Sequence, residues 1–289
     1  MQTKSAKNKA MMLMAICAVL WSLGGIFIKL ISWHPLLIAG GRSLLAAAVL
    51  GGYMAVKKIP IKVSFYSVGA GISLCACFLL FVAANKLTTA ANAIVLQYTA
   101  PIFILIVSAV FFRDPLKKRE ILAVLGTVAG MVLFFFDQLS PGNIYGNVMA
   151  ILAGAFLGVM FTLVGKAGGD DSVRMSGILF SHLLTALIGI PAGLPGTASC
   201  TSTEIWCILV LGVVQLGIPY VLYALASRDC PPLACSLIGM LEPLLNPVWV
   251  FIFDGERPGM LSLIGAVAVI ITITLWSIAG ARQTREAKV

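Results

Sequence analysis

Apolar stretches of about twenty residues follow one another along this 289-residue chain. Each is the length a helix needs to cross a bilayer at roughly 1.5 Å per residue. Ten can be marked, at 10–31, 35–55, 64–85, 88–112, 119–136, 145–165, 173–193, 204–227, 231–253 and 259–280. The links between them are short and carry charges or helix breakers, as in KKIPIK (57–62), RDPLKKRE (113–120), KAGGDDS (166–172) and DGERP (254–258). Hydrophobic residues make up 60% of the chain and charged residues 11%. Soluble domains carry about 25% charged residues, so a water-soluble fold would leave far too much apolar surface exposed. The first stretch follows Lys4, Lys7 and Lys9, but it is too long for the apolar core of a signal peptide and lacks a clear cleavage site. It is expected to be retained as a span, and the short tails leave no room for a soluble domain. The expected class is an all-α integral membrane protein of ten transmembrane helices.

The formal net charge of +9 raises the question of nucleic acid, and its distribution answers it. With the N-terminus inside, sixteen of the twenty Lys and Arg residues fall in cytoplasmic segments. Lys86 and Arg257 fall outside, and Lys29 and Arg42 lie within spans. By the positive-inside rule this bias expects both termini in the cytoplasm of a multi-pass (inner) cell-membrane protein. No nucleic-acid partner is expected. The seven cysteines lie mostly inside spans, where a free thiol packs as a small apolar group. Cys75 and Cys77 lack a second pair or a nearby His, so neither a metal nor another cofactor is expected.

An internal repeat is legible. At an offset of 142, Ala84 matches Ala226, Lys86 matches Arg228, Pro101 matches Pro243 and Phe111 matches Phe253. At 139, Gly126, Val128 and Ala129 match Gly265, Val267 and Ala268, and LGGIF (23–27) resembles LGVMF (157–161) at 134. The division expected is a first repeat over 1–140 and a second over 141–289. Five spans is an odd number, so the second copy is expected upside down. The loops agree: RDPLKKRE has four basic residues and its counterpart DGERP has one. Inverted repeats around a central cavity belong to secondary transporters, whose halves exchange conformations around a midplane site.

Glu242 is the twelfth of 23 residues in its span, about 16 Å from either end and close to the midplane. A charge there costs roughly 2.5–3.5 kcal/mol on insertion scales and usually faces protein or a water-filled cavity. Gly239, Glu242, Asn246 and Trp249 fall at helical spacing on one face. Pro243 and Pro247 each lack an N–H and crowd the carbonyl four residues back, so a kinked or broken helix is expected beside the acid. Two readings stay open: a substrate or proton site, or a structural kink around a neutral acid. Arg42 lies eight residues into its span and cannot shed its proton, so it clamps an acidic ligand, partners Glu242 or tethers helices. Ser73, Cys77 and Phe81 align at 142 with Gln215, Pro219 and Tyr223, each set on one face. Gln97 and Tyr98 precede Pro101, and Trp21 neighbours Ser22 and Gly24–Gly25. The candidate binding or coupling residues are therefore Glu242, Arg42, Asn246, Trp21, Gln97, Tyr98, Gln215, Tyr223 and Trp249. The expected helix breakers are Pro101, Pro219, Pro243 and Pro247. Lys29 is expected to reach the interface, His34 and His182 lack partners at ligand spacing, and Asp170–Asp171 reads as a solvated turn.

The motifs WSLGG (21–25) with Lys29 after it, Arg42, YALA (223–226), LEP (241–243), and GERP (255–258) followed by LIGA (263–266) resemble the EamA-type drug/metabolite transporters over essentially the whole chain. The chain departs from the pattern where the second half lacks an aromatic counterpart of Trp21 and where Asp114 stands for the loop acid seen as Glu256. The resemblance implies helices around a central cavity and export or exchange of small polar metabolites, often amino acids. It also implies that the fifth and tenth helices form the side, where a homodimer is left open. The expected function is alternating-access transport of a small molecule across the bilayer. Proton coupling through Glu242 is left open, and a membrane-embedded enzyme acting on a lipid-linked substrate is the alternative.

Overall fold

The computed structural model describes residues 4–139, 141–196, 200–254 and 259–286. The helices are α1 (Lys4–Ser22), α2 (Gly24–Lys29), α3 (Pro35–Val56), α4 (Phe65–Leu87), α5 (Ala90–Gln97), α6 (Ala100–Phe112) and α7 (Lys118–Phe134). They continue with α8 (Ile144–Lys166), α9 (Asp171–Gly193), α10 (Ser202–Leu209), α11 (Ile218–Ala226), α12 (Pro232–Gly239), α13 (Leu241–Asp254) and α14 (Met260–Glu286). A π-helical stretch, Val210–Gly217, joins α10 to α11. No strand occurs among the described residues.

Seven units are long and apolar enough to cross a membrane: α3, α4, α5 with α6, α8, α9, α10 through α11, and the Met260–Ala279 part of α14. The other three expected spans are helical but shorter or interrupted. The first breaks after Ser22 before α2, the fifth is the 17-residue α7, and the ninth breaks between α12 and α13. The physical reason lies in the sequence. Gly24 and Gly25 follow Leu23, and Pro243 and Pro247 follow the later break, where the missing N–H groups leave the ladder unclosed.

Helix starts follow side-chain chemistry. At α4, the Ser67 backbone N–H donates to Ser64 Oγ at 3.1 Å, and the Ser64 N–H donates to Ser67 Oγ at 2.8 Å. Thr201 and Glu204 form the same reciprocal cap at α10. Glu204 also accepts the backbone N–H of Ser32 at 2.9 Å and its hydroxyl, tying the link before α3 to α10.

The halves interlock. Helix α4 packs on both α8 and α9, α3 on α9, and α1 on α11, α12 and α13, while α7 and α14 pair at the side. In lipid such contacts are held by close packing rather than by a hydrophobic drive, and small residues permit it. A Cβ on Gly189 would lie 2.6 Å from the Leu36 carbonyl oxygen, and one on Gly40 would lie 2.6 Å from the Ile190 nitrogen.

Ion pairs fasten the end of the bundle that carries the basic links. Lys62 meets Asp170 at 2.7 Å, Lys166 meets Asp114 at 2.7 Å, and the buried Arg174 pairs with Asp171. The Lys166 ammonium also lies 4.9 Å from the Phe112 ring centroid. Asp170 and Asp171 do lie partly exposed at the turn before α9, and these pairs give each a partner the sequence reading had not assigned. Asp170 caps α9 through the backbone N–H groups of Ser172 and Val173 and ties α9 to the link before α4. Asp171 neutralises an arginine that packing takes out of solvent.

Two outcomes test this packing. Gly189→Val should lower stability in detergent by roughly 1–3 kcal/mol through overpacking. Gly52→Ala, inside α3 and meeting nothing within 4 Å, should leave the unfolding temperature at or slightly above the native value. The hydrogen bond from Lys62 holds the Asp170 carboxyl below the usual carboxylate range. A depressed folded value means a contribution that is full above the unfolded value and is lost as pH falls through the folded one. The gap in unfolding temperature between the native protein and Asp170→Asn should therefore be present at neutral pH and close in acid.

Candidate functional site

Both halves line one cavity of about 520 Å³. It extends from Glu242 to Ile31, Trp33 and Pro35 between α2 and α3, and to Lys86 at the end of α4, so its mouth lies at the end opposite the ion pairs.

Its deepest polar contact joins two broken helices. Helix α5 ends at Gln97 and α6 begins at Ala100, while α12 ends at Gly239 and α13 begins at Leu241. The break at Tyr98 and the break at Met240 are 142 residues apart, the offset of the repeat. Pro101 and Pro243 each stand in the first turn after the break, where a missing N–H costs no helical bond. The ninth helix thus restarts just ahead of its proline instead of bending at it. Across the cavity the Tyr98 hydroxyl donates to Glu242 Oε2 at 2.8 Å. Glu242 lies in the first turn of α13, where the free N–H groups of the helix start favour an acid.

Other lining groups retain hydrogen-bonding capacity. Gln215, in the π-helical stretch, donates through Nε2 to the Trp21 carbonyl oxygen at 3.1 Å. Its Oε1 and the Trp21 indole N–H are buried without a partner among the described residues, as is Arg42 Nε. Gln97 Nε2 donates to Cys77 Sγ at 3.3 Å. Arg42 and Glu242 face the same cavity and act on one another electrostatically, but no direct ion pair joins them. The chamber can thus offer an acceptor at Glu242, the guanidinium of Arg42, and an apolar wall between them.

Trp21, Arg42, Gln97, Tyr98, Gln215, Glu242 and Pro243 are thereby brought together. Two candidates sit elsewhere. Tyr223 is 1% exposed and lies behind Trp21, its hydroxyl donating to Met160 Sδ at 3.6 Å. Trp249 lies beside the lining and donates through Nε1 to Ser22 Oγ at 2.8 Å, fixing α13 to α1. Pro101 and Pro219 serve the helix starts of α6 and α11 and are not in the lining. The side chains of Asn246, Pro247 and Lys29, and the whole of Glu256 and Arg257, lie outside the described residues. His34 does have partners: it accepts the Leu36 N–H at 3.3 Å as the cap of α3, and Lys86 Nζ lies 3.2 Å from its Nε2. Sequence reasoning missed Phe78 and Tyr220, which line the cavity with rings 6.2 Å apart. The signal was present, since they are also 142 residues apart.

A chain of close-packed, lipid-length helices with a polar chamber at its breaks has the form of a membrane transporter. The model of the EamA-like transporter family matches twice, at residues 8–136 and 144–278. The chain belongs to the EamA-like transporter family, in keeping with the drug/metabolite transporter superfamily. It is 26% identical over 196 residues to an uncharacterized transporter of Bacillus subtilis, covering 65% of this chain and 61% of that protein. The chain therefore matches about three fifths of the length of that relative. An uncharacterized transporter of Archaeoglobus fulgidus is 24% identical over 198 residues, or 68% of this chain and 70% of its own length. One solved crystal structure of a protein superposes with a TM-score of 0.82 at 15% identity, covering 96% of this chain and 99% of that one, a likeness of fold.

Tyr98→Phe should keep the fold and remove one hydrogen bond to an ionisable group, worth about 1.5–3 kcal/mol. Paired with Glu242→Gln in a double-mutant cycle of unfolding temperatures, it should show non-additivity. Additive losses would mean the two side chains do not interact.

Proposed function

We propose that this chain is a secondary transporter with ten crossings in two inverted halves, 1–140 and 141–289, and with both termini in the cytoplasm. It moves a small polar metabolite, an amino acid or a related compound, by alternating access, as an exporter or exchanger. The observation that carries this reading is the Tyr98–Glu242 hydrogen bond, because it joins equivalent helix breaks of the two halves at the floor of one cavity. Family membership and the transporter relatives support transport over catalysis. An embedded enzyme would also need convergent acids, a nucleophile or a metal cluster. No group of three or more metal-ligating side chains occurs among the described residues.

The chamber suits a molecule with an amino group toward Glu242 and an acidic group toward Arg42. Glu242 is also the residue we assign to proton coupling. For the halves to rock, its bond to Tyr98 has to be exchanged for a bond to substrate or for a proton.

Thermal unfolding of the purified protein with amino acids, nucleosides, nucleotide sugars and quaternary amines tests the binding reading. A compound bound only by the folded state, at a hundred times its Kd, should add about 2.7 kcal/mol. That gain should vanish in Glu242→Gln and in Arg42→Ala. Proton coupling is tested in liposomes: uptake by the native protein should respond to a pH gradient, and uptake by Glu242→Gln should not. Transport by Glu242→Gln with the native pH response would remove the acid from the coupling step.

A further inference from the structure

Helix α9 carries a histidine with no role in the site above. His182 is 0% exposed, and neither Nδ1 nor Nε2 has a hydrogen-bond partner among the described residues. Its ring lies 5.8 Å from Phe78, close to parallel at 28°, and 4.8 Å from Tyr220, nearly edge-on at 79°. Both of those rings line the cavity, so the imidazole sits directly behind the cavity wall. The hydroxyls one and three residues away on the same helix do not serve it. Ser181 Oγ donates to the Ile178 carbonyl and Thr185 Oγ1 to the Ser181 carbonyl. On the cavity side, Arg42 is within electrostatic reach of the imidazole and has its own Nε unpartnered.

A neutral imidazole has one donor and one acceptor, and burying both unmet is unfavourable. A phenyl ring would fill the same slot between Phe78 and Tyr220 with nothing left unmet. Buried polar groups are almost always satisfied, so these nitrogens call for a partner in another conformation of the site. We propose that His182 is a second substrate-binding residue of this cavity, screened here by Phe78 and Tyr220. When those rings turn aside, its N–H joins Arg42 in holding the carboxylate of the transported compound. This rests on the transport reading and extends the chamber beyond its present wall.

His182→Phe, which keeps the ring packing, is the direct test. The variant should unfold at the native temperature or higher. Its binding of L-leucine should weaken at least tenfold, while that of isopentylamine, which lacks the carboxylate, stays unchanged in affinity. Native affinity for both compounds in a folded His182→Phe would overturn the proposal.

A measurement on the native side chain stands apart from any substrate. The chain has two histidines, so diethyl pyrocarbonate modification read by mass spectrometry has His34 as its internal control. His182 should stay unmodified at rest and become modified in Tyr220→Ala and in Phe78→Ala, which remove the screen. An imidazole that stays unmodified in both variants while His34 reacts would overturn the screened-site geometry even if His182→Phe fails to fold. If the native protein binds neither compound, the amino-acid reading of the transporter falls, and with it the carboxylate assignment. The labelling then decides separately whether His182 is a screened wall residue.

Discussion

Inside a bilayer a backbone amide or carbonyl has no water to bond to, so a chain may leave helical geometry only where protein or an aqueous chamber receives the freed groups. The architecture follows from that constraint. The internal breaks at Leu23, at Tyr98–Thr99 and at Met240 and the π-helical stretch Val210–Gly217 all border the central cavity. The uninterrupted helices α3, α4, α8 and α9 form the interlocked body around it. Polar chemistry is divided in the same way. At the end with the basic links, full charges meet as exposed or partly exposed ion pairs that water also serves. At mid-depth, charge is scarce, and an acid and an arginine share one chamber with hydroxyl, amide and indole groups.

The tyrosine–glutamate bond deserves its central place because of what it connects. Each partner sits at a helix break of a different half, and each break is held by a proline one turn into the following helix. In a protein whose halves rock as proposed, this bond would have to respond to the movement. The ion pairs at the far end, Lys166 with Asp114 and Lys62 with Asp170, cross between halves as well. They sit on the side where the cavity is closed.

Much of this was legible in the sequence, and the omissions have physical causes. Glu242 and the break beside it could be read because an acid and prolines in an apolar run act within one helical turn. The seven longest spans were legible by length alone. The partner of Glu242 was harder, since Tyr98 lies 144 residues away and only the repeat offset hints at it. Tyr223 was placed on the cavity because periodicity gives the face of a helix and not the depth at which a neighbour covers it. Trp21 and Phe161 cover that ring. The partner of Asp170 was hidden because Lys62 is set by packing rather than by spacing, as is the ring cage around His182. Asp171 and Arg174, by contrast, stand three apart on α9, a helical spacing the sequence does show.

The π-helical stretch Val210–Gly217 had no signature in the hydropathy pattern at all, and it has a consequence for energetics. Its counterpart at the repeat offset, within α4, is ordinary α-helix. Two identical halves related by a two-fold axis in the membrane plane would make the outward-facing and inward-facing shapes mirror roles of equal free energy. A π-helical segment found in one half alone among the described residues removes that degeneracy. In a protein whose halves trade shapes as proposed, the empty chamber would then have a resting side, written into eight residues of one helix.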